Sequence, residues 1–261
     1  MSNDDEKRAH VTEHLAELRA RLIRSIIYLL IGAVAAWFCY DYLLDFLTRP
    51  MMGVLDLKGA KFLLTSFPEP FMIQLQTCIV AGLVICFPAI TAEIWGFVSP
   101  GLTPNERRPL KWIMPLAALL FCSGVVVCYL ILPKAFSWFA AYVPRNAELR
   151  PSLQQSVLFT VKMLLAFGIV FELPVVLMLL AKVGMVNSRM LLSNWRGAMV
   201  GISIVSAIIT PSNDAFSMLM MAIPVSGLYF MSILLVRLVE SDSAAPGPFQ
   251  RLFARFGRKG N

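Results

Sequence analysis

Residues 156–182 read SVLFTVKMLLAFGIVFELPVVLMLLAK, and within this stretch only Lys162, Glu172 and the final Lys182 carry charge. A helix needs about 20 consecutive, predominantly apolar residues to cross the hydrocarbon core of a bilayer, which is roughly 30 Å thick. The compact core of a water-soluble domain does not need an apolar run of this length. The stretch therefore predicts a membrane-spanning helix.

Five further apolar runs lie on either side of this stretch, at about residues 24–44, 70–97, 110–132, 197–211 and 215–237. The composition agrees, because 58% of the residues are hydrophobic and only 15% are charged, whereas soluble domains have about 25% charged residues. We therefore predict an all-α integral membrane protein with six transmembrane helices in a single domain over residues 1–240. The run at 197–211 is short for a full bilayer, and short spans thin the bilayer locally or are shielded by partners.

The distribution of basic residues indicates the orientation of the chain. Six spans place both termini on one side, where the tails and loops hold sixteen of the 23 Lys and Arg residues, while the opposite loops hold six. Cytoplasmic loops of membrane proteins carry an excess of Lys and Arg, so both termini are predicted to be cytoplasmic. Residues 241–261 begin with a Ser-, Ala- and Pro-rich linker and continue with Phe and Arg in alternation. This predicts a flexible basic tail or a short amphipathic helix on anionic lipid.

Charge and reactive residue types exclude several classes of function. The formal net charge is +7, but outside the spans and the carboxyl-terminal tail there is no basic face with interleaved aromatic residues, which argues against nucleic-acid binding. His10 and His14 are the only histidines, and the five cysteines all lie in apolar runs without a CxxC pair. We therefore expect no disulfide framework, no metal site and no other cofactor.

Two carboxylates outside the spans, Glu17 and Glu106, are candidate binding groups. Glu17 lies in the sequence HLAELRAR at residues 14–21, whose leucines recur at helical spacing on the other side of the helix. It is either a binding group or part of an interfacial helix with an ordinary i,i+4 pair to Arg21, worth a few tenths of a kcal/mol. Glu106 lies in a proline-containing loop at 99–108, as a solvated loop charge or as a second binding group.

Glu172 differs from these carboxylates because it lies within an apolar run. A charged side chain near the bilayer centre costs roughly 2.5–3.5 kcal/mol on insertion scales, so such a group usually faces protein, a water-filled cavity or a ligand. The sequence leaves two interpretations open, a functional polar group and a structural hydrogen bond to a neighbouring helix. Pro174 frees a backbone carbonyl nearby, which favours a bend in the helix.

Four other residues have ordinary structural interpretations. Asp214, which ends the polar turn Thr210–Asp214, is typical of an N-cap for the sixth helix, and Pro50 is typical of a stop after the first helix. Lys162 is expected to extend its amino group to the membrane surface. Glu93 is expected to be solvated at the end of the second span.

Short motifs in a fixed order resemble the TatC family of the twin-arginine translocase. Each motif alone is weak, but six of them in order with this topology are specific, and together they cover residues 14–224. The motifs are HLAELRAR from His14, Pro88 with Trp95-x-Phe97, Pro100-Gly101-Leu102 with Glu106-Arg107-Arg108, Phe167-Gly168 with Phe171-Glu172-Leu173-Pro174, Thr210-Pro211 with Asp214, and Ala222-Ile223-Pro224.

The resemblance implies six helices in a cupped, concave bundle with no enzymatic activity. It implies a signal-peptide receptor subunit in the bacterial cytoplasmic (inner) membrane, which exports folded proteins by means of the proton motive force. The implied partners are the single-span TatA and TatB proteins, the twin-arginine signal peptides of folded cargo, membrane lipid, and further copies of the chain in a homo-oligomeric receptor complex.

The resemblance also implies which residues bind the signal peptide. Glu17 and Glu106 would accept hydrogen bonds from the signal-peptide arginines, with Arg19 and Phe97 in the same site. A planar guanidinium fits a carboxylate through two parallel hydrogen bonds, which the ammonium group of lysine cannot reproduce. Glu172 would be the intramembrane polar group that faces the concavity.

Further residues match family positions that are sensitive to change or that contact partners. Pro50, Asp214 and Arg107 match the sensitive positions, and Thr210 and Met218 match the contact with TatA and TatB. Many relatives carry Gln where this chain has Met218, so the polar part of that contact departs from the family pattern.

Two other classes of membrane protein fit the sequence less well. A small-molecule or ion transporter that used Glu172 would be expected to show inverted repeats or paired broken helices, and neither is visible. An intramembrane protease needs a histidine base with Ser or Asp, or a metal cluster, and no apolar run contains histidine.

The orientation of the chain can be tested with topology reporters. Because the basic residues are concentrated on one side, a reporter fused after residue 240 should behave as cytoplasmic, and one inserted near residue 147 as external. Paired alkaline phosphatase and green fluorescent protein fusions would measure this. The opposite pattern at both sites would overturn the assignment of the spans.

Overall fold

The computed structural model describes residues 3–98, 110–144, 146–182, 184–211 and 214–241. Within these ranges the regular structure is helical, apart from one isolated parallel bridge between Leu63 and Ser152, so the all-α prediction is confirmed. The basic tail lies outside these ranges from residue 242 onwards. In chain order the helices are α1 (Asn3–Phe38), α2 (Tyr40–Lys58), α3 (Glu69–Val98), α4 (Leu110–Ala141), α5 (Leu153–Val170), α6 (Leu173–Lys182), α7 (Ser188–Ser193), α8 (Trp195–Ile209) and α9 (Ala215–Ser241).

Five helical segments are long and apolar enough to cross a membrane, in the part of the chain that the structure describes. They are Leu15–Phe38, Glu69–Phe97, Met114–Ala141, Leu153–Lys182 and Ala215–Leu238. The run predicted at 197–211 forms the shorter apolar helix α8, as its length indicated. Large apolar side chains along the first segment are exposed, Leu30, Ile31 and Val34 among them. Lipid can cover such side chains in a spanning helix.

The first predicted span, at 24–44, is wrong at its carboxyl end. The apolar segment ends at Phe38, Cys39 forms a turn, and α2 begins at Tyr40 with Asp41 in its first turn. Acidic residues favour the first turn of a helix because of the helix dipole. Pro50 is likewise not a helix stop, since it is a buried residue inside α2. The chain thus continues as a second, more polar helix where the sequence predicted a loop.

The fourth predicted span consists of two helices joined at Phe171 and Glu172. The N–H of Glu172 bonds to the carbonyl of Ile169, and helical bonding resumes from Val176 to the carbonyl of Glu172. Pro174 has no N–H for the carbonyl of residue 170, which explains why the ladder breaks here. The expected disruption near Pro174 is therefore present one turn before the proline.

The described residues form two compact units. One contains α1, α3 and the amino-terminal parts of α2, α4 and α5, and the other contains the remainder of those helices with α6–α9. In the first unit, α1 and α3 pack antiparallel in one constant register. Moving a given number of residues towards the amino terminus of α1 corresponds to moving the same number towards the carboxyl terminus of α3. Four pairs define this register, Ala36 with Cys78, Gly32 with Gly82, Tyr28 with Cys86, and Arg21 with Glu93.

The closest approach of α1 and α3 occurs where two glycines face each other. A Cβ built on Gly32 would lie 2.6 Å from the Sγ of Cys86 and 2.7 Å from the carbonyl oxygen of Gly82. A Cβ built on Gly82 would overlap the backbone nitrogen of Ala33. Small residues allow membrane helices to approach closely, where dispersion replaces the hydrophobic effect as the packing force. These two positions therefore require glycine.

Glu69, the first residue of α3, fixes the loop before that helix. The side chain is 3% exposed and accepts hydrogen bonds from the backbone of Thr65 and Ser66 and from the hydroxyl of Ser152 at 3.1 Å. The N–H of Leu153 adds a bond of 3.1 Å to the carbonyl of Leu63. These bonds join the loop to the start of α5, so Glu69 is a structural carboxylate.

The second unit is organised around aromatic side chains and small residues. A Cβ on Gly168 would overlap the ring of Phe121, and one on Gly124 would lie 2.7 Å from the carbonyl oxygen of Phe167. Both phenylalanines are fully buried. The Tyr229 hydroxyl donates to the carbonyl of Leu191 at 2.9 Å. In a separate contact, the rings of Trp138 and Phe216 stack with centroids 4.1 Å apart.

The glycine contact between α1 and α3 generates a stability prediction. Gly82→Ala should destabilise the protein by about 1–3 kcal/mol because the new Cβ overlaps backbone that cannot rotate away. The melting temperature should fall by about 3–10 °C, measured by thermal unfolding in detergent micelles.

Gly227→Ala is the matched control. Gly227 also lies inside an apolar helix, but a Cβ there meets nothing within 4 Å. Alanine should be neutral or stabilising by up to about 1 kcal/mol because glycine weakens a helix interior. Equal melting temperatures for the two variants would contradict the close approach at Gly82.

Candidate functional site

The amino-terminal part of α1 has an apolar face and a polar face. Leu15, Leu18 and Leu22 are exposed along one side, whereas Glu17 and Arg21 are partly buried. The predicted separation of leucines from charged residues is therefore confirmed.

Arg21 is the centre of an ion-pair network between α1 and α3. Its Nε and Nη2 donate to Oε1 of Glu17 at 3.1 and 2.7 Å. Its Nη1 donates to Oε2 and to the backbone carbonyl of Glu93 at 3.3 and 3.4 Å. The second carboxylate oxygen of Glu93 accepts a bond of 3.1 Å from Nη1 of Arg24. The i,i+4 pair expected between Glu17 and Arg21 thus exists as part of a larger network.

Glu93 is not the solvated carboxylate that the sequence predicted. It is 9% exposed, because two guanidinium groups from α1 lie against it in place of water. Burial of an unpaired carboxylate would be costly, and two charge-assisted contacts offset that cost. Glu93 is therefore an internal acceptor for both arginines.

Gly96 provides the space in which the Arg21 guanidinium lies. A Cβ at this position would overlap Nη1 of Arg21 and would lie 2.7 Å from its Cζ. Any side chain larger than hydrogen would displace the guanidinium from its position beside Glu93. The network thus depends on a glycine one turn beyond its carboxylate.

The other residues predicted for the signal-peptide site have less defined surroundings. Arg19 is exposed, and Phe97, which directly follows Gly96, is partly buried. Glu106 and Arg107 lie outside the described residues. The structure therefore places Glu17 and Phe97 in the first unit and leaves the pairing of Glu17 with Glu106 as a prediction.

Glu172 lies in the second unit, at the junction of α5 and α6. The residue is partly exposed, but its Oε1 is buried and accepts no hydrogen bond from a described residue. A buried oxygen without a donor costs free energy, so this geometry gives no support to the interpretation of Glu172 as a structural hydrogen-bond acceptor.

The turn between α8 and α9 contains two of the predicted residues. Oδ1 of Asp214 accepts from the N–H of Ser217 at 2.8 Å, which confirms the predicted N-cap. Thr210 is buried, and its hydroxyl donates to the carbonyl of Ser206 at 2.9 Å. The N–H of Met218 bonds to the carbonyl of Asp214 at 3.3 Å, and the Met218 side chain is partly buried.

Sequence reasoning missed Glu93 and Gly96 as parts of the charged network. A signal was present, because Arg21 and Arg24 are three residues apart on one helix face, and Glu93 is the only charged residue between Glu69 and Glu106. Among the described residues, no group of three or more His, Cys, Asp or Glu side chains is arranged to hold a metal ion.

Comparisons with known proteins identify the family. The family profile described as Sec-independent protein translocase protein (TatC) matches residues 13–224. TatC of Desulforapulum autotrophicum is 38% identical over 90% of this chain and 86% of its own length. The chloroplastic TATC of Oryza sativa subsp. japonica is 35% identical over 90% of this chain and 64% of its own length.

A solved structure agrees with the sequence comparisons. The crystal structure of the twin-arginine translocase receptor TatC superposes with a TM-score of 0.73 at 33% identity, over 87% of this chain and 99% of that one. A second crystal structure of the same receptor, in DDM, gives a TM-score of 0.74 at 32% identity. The chain therefore belongs to the TatC family, and it is a multi-pass membrane protein that acts as the receptor subunit for Sec-independent protein export rather than as an enzyme.

Proposed function

We propose that this chain recognises twin-arginine signal peptides through Glu17 and Glu106, in a bacterial cytoplasmic membrane. In this proposal the cargo is folded, export uses the proton motive force, and several copies of the chain assemble with TatA and TatB in one receptor complex. Arg19, Phe97 and Arg107 would lie around the bound arginines. The apolar part of the signal would lie along the helices and lipid.

The observation that carries the proposal is the contact between Glu17 and a guanidinium. One carboxylate oxygen of Glu17 accepts two N–H groups of Arg21, at 2.7 and 3.1 Å. The side chain remains one-third exposed, so it is accessible from solvent while it makes this contact. A carboxylate that already binds an arginine of its own chain has the chemistry needed for an arginine of a peptide.

A second set of residues would serve the TatA and TatB partners. The Thr210 hydroxyl is bonded to Ser206 within its own helix turn, and Met218 offers a thioether where many relatives have an amide. A partner helix would therefore pack here through apolar and polarizable contacts, to which methionine adapts readily. Asp214 would act by capping α9 and fixing the position of Met218, Pro50 by fixing α2, and Glu172 as a polar group for a partner or peptide within the membrane.

Recognition can be tested by removing each carboxylate in turn. Glu17→Ala and Glu106→Ala should each weaken binding of a synthetic twin-arginine signal peptide by about 10- to 100-fold, because charge-assisted hydrogen bonds are worth about 1.5–3 kcal/mol. A twin-lysine peptide should bind the unmutated protein weakly and lose less. Fluorescence anisotropy with the full chain in lipid nanodiscs would measure both.

The matched control for this test is Glu148→Ala. Glu148 is an exposed carboxylate that pairs with Arg150 in a loop far along the sequence, so it reports the effect of one lost negative charge. Its variant should bind like the parent. If both Glu17→Ala and Glu106→Ala keep the parent affinity and still reject twin-lysine, the arginines are read elsewhere.

The role of Glu172 can be tested by comparing two substitutions. Glu172→Gln should retain more export than Glu172→Leu, because an amide keeps hydrogen-bonding capacity. Export of a twin-arginine reporter protein in cells would measure this, with membrane insertion checked for each variant. Val176→Leu controls for added apolar volume at an exposed position one turn later. Full export with Glu172→Leu would remove Glu172 from the functional site.

A further inference from the structure

We propose that Arg21 is an internal occupant of the signal-arginine site, and that Glu93 is the positioning residue that receives Arg21 when a peptide arginine takes Glu17. This inference rests on the proposed function of Glu17. It adds two residues that set the affinity of the site, Arg21 as a competitor on the same chain and Glu93 as its alternative acceptor.

The competition follows from the geometry at Glu17. Arg21 occupies Oε1 of Glu17 with two of its N–H groups, which is the kind of contact that a peptide guanidinium would make. A peptide guanidinium that binds Glu17 through two parallel hydrogen bonds needs both carboxylate oxygens, and Arg21 already fills Oε1 with two N–H groups. A peptide arginine therefore binds Glu17 at the expense of the Arg21 contact, and its measured affinity is reduced by the strength of that contact.

Glu93 provides the second position for Arg21. Nη1 of Arg21 already contacts both a carboxylate oxygen and the backbone carbonyl of Glu93, and the space over Gly96 admits the guanidinium. When Arg21 leaves Glu17, it does not have to move to a new partner, because it keeps its hydrogen bonds to Glu93 during the exchange. Without this acceptor, the displaced guanidinium would lose most of its charged contacts in a partly buried position.

The charges of the network favour an exchange, in which a peptide arginine replaces Arg21 on Glu17, over simple addition of the peptide arginine to the site. Among the described residues, the ion pairs of this network join Glu17, Arg21, Arg24 and Glu93, whose two positive and two negative charges balance. In the absence of a peptide, the site is therefore electrically satisfied by arginines of its own chain. Such a competitor raises the apparent dissociation constant of every cationic ligand by the same factor. Weak ligands such as lysine peptides are therefore excluded at working concentrations.

The experiment compares binding of twin-arginine and twin-lysine peptides to the full chain in lipid nanodiscs. Arg21→Gln should tighten binding of the twin-arginine peptide by about 3- to 10-fold, and Glu93→Gln should weaken it by about 3- to 10-fold. The ratio of the two peptide affinities should stay within about twofold of the parent in Arg21→Gln, since a competitor affects both peptides equally. In the double variant, the effect of Glu93→Gln should disappear.

Two further variants make the test specific. Arg24→Gln removes the same charge one turn away, where the side chain contacts Glu93, and should tighten binding clearly less than Arg21→Gln. Arg21→Lys keeps the charge, but one ammonium group cannot reproduce the two hydrogen bonds to Glu17 while it also contacts Glu93. It should shift affinity in the same direction by a smaller factor, so the proposal stays testable if Arg21→Gln does not insert.

The outcomes separate this inference from the proposed function. If Glu17→Ala leaves peptide binding unchanged, the proposed role of Glu17 in recognition fails, and this inference fails with it. If Glu17→Ala weakens binding but Arg21→Gln also weakens it, Arg21 positions Glu17 and the internal-occupant inference is overturned while the receptor site stands. An equal gain from Arg24→Gln and Arg21→Gln would likewise overturn it, since the effect would then be general electrostatics.

Discussion

The contact between Gly32 and Gly82 determines much of what the first unit can do. Because neither position carries a Cβ, α1 and α3 approach closely enough to fix their relative register. Arg21 lies eleven residues before Gly32, and Glu93 lies eleven residues after Gly82. At about 1.5 Å per residue, two antiparallel helices bring these residues to the same height, roughly 16 Å from the glycines. The charged network is therefore positioned by packing inside the apolar span.

The ion-pair network between α1 and α3 also places charged side chains at the end of the apolar span. Charged side chains near a membrane are tolerated when they pair or reach the interface. Here Glu93 is almost enclosed while Arg24 is about half exposed, so the network runs from the α1–α3 contact outwards to solvent. The exposure of Glu17 is intermediate, with one-third of its side chain exposed. A carboxylate in this intermediate position is accessible to a ligand, yet its contacts are less screened than those on an open surface.

Features set by local composition could be predicted from the sequence, and features set by long-range register could not. Apolar length located the spans, including the short α8, although the third span was predicted to end at residue 132 and its apolar segment continues to Ala141. Asp214 was recognisable as an N-cap because a cap is formed within one turn. The turn at Cys39 and the burial of Pro50 in α2 were missed, since apolar character there fades gradually. Glu93 was missed for a different reason. Its partners lie about 70 residues earlier in the chain, and no local pattern near Glu93 indicates which face α1 covers.

The charge balance among the described residues of the network supports the proposal that a second carboxylate comes from another segment. Arg21 and Arg24 lie one turn apart on α1 and together match the charges of Glu17 and Glu93. A ligand with two arginines adds two positive charges to this balanced group of four side chains. The excess of positive charge remains when one peptide arginine replaces Arg21 on Glu17. Like charges at these separations repel unless a further anion lies nearby. A second carboxylate contributed by the loop after α3, as proposed for Glu106, would offset part of this excess and give the second arginine an acceptor of its own.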